Sequence, residues 1–148
     1  MPSSLTSTVP ARSAFRDAVR DRRTAPVFDG FYEWRRPGTG EKGRAQPFYF
    51  YPANGQPMTF AGLWDTWYDA EGRALRTCAT VTTSANATMT PVHHRMPVVL
   101  SSDTLDEWLR PVLLRPNQLH ELLQPSPQGV LNCHIGQYRR EQRSQRGR

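Results

Sequence analysis

Six stretches of this chain have the apolar, aromatic or Thr/Val-rich pattern of strands, and three short ones shift to a helical period. Phe15, Ala18 and Val19 predict one buried face of a helix from Ala14 to about Arg23, capped by Ser13, with Arg16, Arg20, Arg22 and Arg23 around the rest. Ser102 is placed to cap a helix from Asp103 to Leu109, whose acids fall in the first turns where the macrodipole favours them. A further short helix is predicted from Pro116 to Leu123. Strands are predicted over 27–34, 46–51, 59–68, 75–83, 92–100 and 130–135. Turn signals separate them: a polar loop with Pro37, Gly38, Gly40 and Gly43, then Asn54-Gly55, 69–72 and 125–129. Residues 84–90 read as a loop or a single helical turn, and Pro97 confines its strand to an edge or a bulge. The sum is an α+β fold with a strongly bent, mostly antiparallel, barrel-like sheet and short flanking helices.

Composition adds a partner class to that outline. With 148 residues and 37% apolar content, the chain is expected to form one domain over 1–138, followed by a basic tail over 139–148. The tail is either a solvated end or a direct grip on phosphate. A net charge of +6 favours an anionic partner, and Lys42 is the one lysine among 19 basic residues. The arginines that make up the rest suit bidentate phosphate contacts and stacking on bases. No apolar run approaches a membrane span, and Met1 to Pro10 has no basic n-region or h-region, so a soluble, cytoplasmic protein is expected.

One carboxylate stands out. Asp29 to Trp34 reads Asp-Gly-Phe-Tyr-Glu-Trp, an aromatic strand that contains Glu33. On a period of two, Phe31, Glu33 and Arg35 share one face and Tyr32 and Trp34 the other. Glu33 is therefore either solvated and paired with Arg35, or set in a ring-lined pocket where it could exchange protons with a substrate. Pro91-Val-His-His-Arg-Met-Pro97 could hold an imidazole and a guanidinium, His93 and Arg95, at the mouth of a cleft, or His93 could be a structural histidine. The pairs His93-His94 and Cys133-His134 are adjacent, lack metal-ligand spacing and would point to opposite strand faces, so no metal and no cofactor is expected. Glycine-rich phosphate loops and Gly-x-Ser-x-Gly elbows are missing too.

Taken together, Gly30-Phe-Tyr-Glu-Trp34, Phe60-Ala-Gly-Leu-Trp64, Thr82-Thr-Ser-Ala-Asn86 and His93-His-Arg-Met-Pro97 with Trp108-Leu109 resemble the SOS-response-associated peptidase family, whose members shield abasic sites in single-stranded DNA. The resemblance runs in unbroken order from about Ala14 to about Leu123. It implies a concave basic surface for single-stranded DNA, on which Trp34 and Trp64 form an aromatic wall and Arg95 contacts the strand. Arg22, Arg23 and Arg35 are further candidates for that surface. It also implies an amino-terminal cysteine that attacks the ring-opened sugar aldehyde, its amine forming a Schiff base and its thiol closing a thiazolidine. Glu33 maps to the glutamate that handles the proton transfers, and His93 to the histidine that positions and protonates the sugar oxygen.

The sequence departs from that pattern at its amino end, where the family's opening segment and nucleophilic cysteine are missing. Cys78 and Cys133 are internal and have no α-amine for ring closure. Counting back from Phe15, Ser3 and Leu5 stand where the family carries an asparagine and an arginine, and His94 replaces an acidic or amide residue. Crosslinking is therefore expected to be absent or impaired. A fragment or misplaced start, a diverged relative that binds without crosslinking, and a different nucleophile all fit, with the Pro2 amine the first candidate for the last. Beside the family reading stand a non-catalytic single-stranded nucleic-acid-binding module and, third, a peptidase. A sheet lacking its amino-terminal neighbour also predicts a homo-oligomer.

Overall fold

The computed structural model describes residues 13–38 and 42–137. The chain runs α1 (Ser13–Asp21), β1 (Arg23–Thr24), β2 (Val27–Phe28), β3 (Phe31–Arg35), β4 (Gln46–Pro52), β5 (Met58–Phe60) and β6 (Gly62–Tyr68). It continues through β7 (Ala74–Thr80), β8 (Thr82–Ser84), β9 (Arg95–Pro97), β10 (Val99–Leu100), α2 (Ser102–Leu109), α3 (Pro116–Leu122) and β11 (Leu131–Ile135). Every ladder is antiparallel. Three sheets have three strands, in the orders β1-β6-β7, β10-β5-β2 and β11-β4-β3, and β8 pairs with β9. The α+β, antiparallel expectation holds, but among the described residues the sheets do not close into a barrel.

The reason lies at three single-residue breaks in strands that the alternation had joined. Ala61 separates β5 from β6, Val81 separates β7 from β8, and Val98 separates β9 from β10. At each break the chain passes from one sheet to another. The three residues bond to one another in a closed cycle: Ala61 N–H to Val98 C=O at 2.9 Å, Val98 N–H to Val81 C=O at 2.9 Å, and Val81 N–H to Ala61 C=O at 2.8 Å. All three are buried. A strand break at this depth would strand polar backbone groups, and the cycle satisfies all six.

Two buried clusters flank this node. Phe15, Val19, Leu63, Leu100, Leu114 and Leu122 pack around Trp108 together with the three node residues. Trp108 is completely buried, and its indole N–H donates to Thr24 C=O at 2.8 Å. The second cluster joins Phe50, Met58, Phe60, Met89, Met96 and Leu131, with Phe28, Phe31, Phe48 and Val92 against it.

Local chemistry moves two predicted boundaries. Ser101 rather than Ser102 caps α2, because its hydroxyl accepts from Thr104 N–H while the Thr104 hydroxyl accepts from Ser101 N–H. Residues 91–94 form no strand: Val92 N–H and His93 N–H both bond to Met89 C=O, closing turns that end only at β9. The basic tail over 139–148 lies outside the described residues.

Ala61 has no exposed surface and the smallest side chain of the node. Ala61→Leu is expected to lower the unfolding free energy by about 1–3 kcal/mol through overpacking, read as an earlier urea midpoint. An unchanged midpoint would show that the node is not close-packed.

Candidate functional site

The Gly-Phe-Tyr-Glu-Trp motif is β3, and its period of two is realised in the structure. Glu33 lies directly across from Phe48 and Tyr32 across from Tyr49. Gly30 is required where the strand begins, since a Cβ there would stand 2.2 Å from the Tyr49 hydroxyl oxygen and 2.7 Å from Phe50 C=O. Glu33 is half-buried on the face shared with Phe31 and Phe48, and its Oε1 accepts from Trp34 N–H at 3.1 Å. The alternative pairing with Arg35 does not form: the Arg35 guanidinium sits over the Phe48 ring, 5.5 Å from its centre. Arg35 remains exposed beside the carboxylate.

Val92, which precedes His93, and Met96, three residues after it, belong to the cluster that contains Phe31, Phe48 and Phe50, the rings on the Glu33 face of β3 and β4. Asn86 shapes the loop that carries the histidine. Its Oδ1 accepts from Met89 N–H at 3.1 Å, its backbone C=O accepts from Thr90 N–H at 2.9 Å, and its Nδ2 donates to the C=O of buried Ser126 at 3.0 Å. This organising role was hidden in the sequence, because Ser126 is remote along the chain.

The backbone of Arg95 cradles the imidazole. Arg95 N–H donates to His93 Nδ1 at 3.1 Å, and Arg95 C=O lies 3.1 Å from the same nitrogen. A neutral ring can accept from the N–H, and an imidazolium can donate to the carbonyl. The His94 ring lies 4.5 Å away, centre to centre.

The basic candidates divide sharply. Arg23 has five N–H donors, and all five are engaged: Nε with Trp108 C=O, Nη1 with Val19 and Arg20 C=O, and Nη2 with Arg110 and Val112 C=O. Its guanidinium also lies 5.7 Å from the Trp108 ring centre, and burial lowers its basicity. The expectation that Arg23 contacts DNA is thus corrected: it clamps α1 to the segment after α2. Arg95 is buried, not displayed at a cleft mouth. Its Nη2 donates to Thr82 C=O at 2.6 Å and approaches the Thr82 hydroxyl at 3.2 Å, and desolvation lowers its basicity too. Arg22 pairs with Asp21 at 3.4 Å and stands 3.9 Å from Asp65.

The two tryptophans fall in different sheets. Trp34 lies on the face of β3 opposite Glu33, next to Tyr32, whereas Trp64 lies on β6 with the Arg76 guanidinium 5.7 Å from its ring centre. Cys78, across from Trp64, belongs to an exposed strand, yet desolvation raises its thiol pKa and disfavours the thiolate. Cys133 is exposed on β11. Among the described residues no group of three or more His, Cys, Asp or Glu side chains is arranged to hold a metal. Pro2, Ser3 and Leu5 lie outside the described residues. A cavity of about 840 Å³ between α1, α3 and β8 meets the site only through Thr82 and its neighbours; Glu33 and His93 are not among its walls.

The His93 cradle makes a direct prediction. Nitrogen-15 NMR should show His93 Nδ1 hydrogen-bonded to the Arg95 backbone, as a shift of that nitrogen from the resonance of an unbonded imidazole, and an unbonded Nδ1 would contradict the geometry.

Comparison with known proteins gives the family and the fold. Residues 5–136 match the family model described as SOS response associated peptidase (SRAP). The Bacillus subtilis abasic site processing protein YoqW is 36% identical over 118 residues, covering 80% of this chain and 51% of the relative. The Escherichia coli abasic site processing protein YedK is 34% identical over 100 residues, covering 65% of this chain and 41% of that protein. A crystal structure of a Bacteroides thetaiotaomicron protein superposes with a TM-score of 0.76 at 26% identity, covering 86% of this chain and 55% of that one. The chain thus spans about half the length of the relatives it matches. With the family model matched across nearly all of its length, this chain belongs to the SOS response associated peptidase (SRAP) family.

Proposed function

We propose that this domain binds single-stranded DNA at abasic sites, with Glu33 and His93 as its proton-transfer pair. The observation that supports this most is the half-buried Glu33 carboxylate within an aromatic strand of the family motif, together with an imidazole held by the Arg95 backbone on a loop whose Val92 packs against the same cluster as Phe31 and Phe48. At an opened abasic sugar, attack by an amine on the aldehyde gives a carbinolamine, and loss of water gives the imine. Each step moves a proton. Glu33 takes the proton released by the attacking nitrogen and returns it to the departing hydroxyl, while Nε2 of His93 donates to the sugar oxygen. The exposed Arg35 beside Glu33 is free to meet a phosphate; Arg95 supports His93 from beneath.

The covalent step is impaired in this reading. Ser3 and Leu5 occupy positions where the family resemblance places an asparagine and an arginine, and Cys78 and Cys133 are internal. A binding module without chemistry is the second reading, favoured by Ser3 and Leu5 where the family resemblance places an asparagine and an arginine. A peptidase would need a nucleophile with a base partner, and Cys133 and His134 point to opposite faces of β11. No helix among the described residues is long and apolar enough to cross a membrane, and a DNA partner would place the protein at the nucleoid.

An abasic oligonucleotide run on a denaturing gel, with and without borohydride, tests the chemistry. Wild type should give a shifted band only with reductant, and Glu33→Gln should cut that band at least roughly tenfold while leaving binding intact. Binding itself should fall by about 0.7 log unit per log unit of salt for each phosphate neutralised. A band without reductant would refute the impairment, and equal trapping by Glu33→Gln would remove Glu33 from the mechanism.

A homo-oligomer through β7 belongs to the same reading. Among the described residues β7 pairs only with β6, and Ala74 to Ala79 are exposed along it, with Leu75 across from exposed Trp67. Such an edge invites a second strand. Sedimentation should show a dimer that Thr77→Pro disperses; a wild-type monomer at all concentrations would end the idea.

A further inference from the structure

The reverse face of the β11-β4-β3 sheet carries an aromatic surface that the proton-transfer site does not use. Alternation turns Phe31, Glu33, Phe48 and Phe50 inward and leaves Trp34, Tyr32, Tyr49, Tyr51 and His134 on the other face. These five rings form one continuous chain. Trp34 and Tyr32 are 6.3 Å apart centre to centre, Tyr32 and Tyr49 4.9 Å, Tyr49 and Tyr51 6.0 Å, and His134 lies 5.5 Å from both Tyr49 and Tyr51. Tyr32 is 55% exposed and Trp34 44%.

We propose that this five-ring face is a second nucleic-acid contact, on which unpaired bases of the strand stack outside the abasic position. The occupant is argued from ring chemistry and charge. Flat rings on a rigid sheet suit nucleobases, which stack on aromatics with little regard to sequence. Arg36 follows the end of β3 just past Trp34, and Lys42 and Arg44 precede the adjoining end of β4. The bases would lie on the rings while this basic margin meets their phosphates. Burial, with smaller contributions from Asp29 and Tyr32, raises the Tyr49 pKa, so that phenol stays neutral beneath a polyanion.

This assignment explains why Trp34 faces away from Glu33: the motif's carboxylate and its tryptophan serve opposite sides of one sheet. A strand processed on the inner face could thereby be held on the outer one around the edge at β3.

The inference rests on the nucleic-acid reading above, and the test separates the two. Wild-type protein is irradiated with an intact thymidine oligonucleotide of about 15 nucleotides, and the crosslinked peptides are identified by mass spectrometry. Affinity for the same oligonucleotide is measured by fluorescence anisotropy for wild type and for Tyr32→Ala/His134→Ala, whose side chains are both exposed. Crosslinks on peptides holding Tyr32, Tyr49 or His134, with an affinity loss of roughly tenfold or more in the double variant, are expected. Crosslinks confined to the His93 and Trp64 peptides, with the double variant binding as wild type does, would overturn the second contact and leave the proposed function standing. The contact also fails if the face yields no crosslinks and the double substitution instead dissociates a dimer, because a second copy then covers the rings. Failure of wild type to bind the oligonucleotide at all would overturn both readings.

Discussion

Three backbone amides hold the molecule's sheets in relation to one another. Ala61, Val81 and Val98 each interrupt a strand, and each gives its N–H and its C=O to the other two. A buried chain that leaves one sheet for another loses its ladder partners at the crossing, and lone peptide groups there would be costly. Placing three crossings together lets each repair the next. The β8–β9 hairpin leaves directly from two of these residues, so the positions of Thr82 and Arg95, and through them of His93, are set by a hydrogen-bonded cycle deep in the core.

Arginine divides into two physical roles in this protein. A guanidinium with all its donors met by carbonyls, as in Arg23, behaves as a structural cross-link. Arg95, buried against Thr82, presents its own backbone to the imidazole, so that either protonation state of His93 finds a partner at Nδ1. Arg35, whose stem and head lie along Phe48, keeps its charge at the surface. The net charge therefore overstates the positive surface available to a polyanion, and the basic margin past β3 and before β4 carries more of it than the arginines of α1 and β1.

One strand serves two surfaces. The alternation that sets Glu33 toward the hydrophobic floor sets Trp34 and Tyr32 away from it, and β4 and β11 extend both faces in register. Rigid antiparallel pairing transmits this separation across three strands without any loop to blur it. Chemistry on a carboxylate and recognition by stacked rings can thus coexist a single sheet's thickness apart.

The sequence alone determined the pieces that depend on near neighbours. The period of two in Phe31 to Arg35 already assigned Glu33 and Trp34 to opposite faces, the apolar spacing of Phe15, Ala18 and Val19 placed α1, and the ordered motifs identified the family. Its errors fell where partners are distant. No local pattern marks Ala61, Val81 and Val98 as breaks, because an apolar residue in a strand and an apolar residue at a crossing read alike until their hydrogen-bond partners are in place. The charge of Arg23 and Arg95 suggested an anion, but carbonyls brought from far along the chain, and from Thr82, set their direction instead. The aromatic face was spread over three strands as single residues two apart. Only strand register, a product of tertiary pairing, brought those rings into one surface.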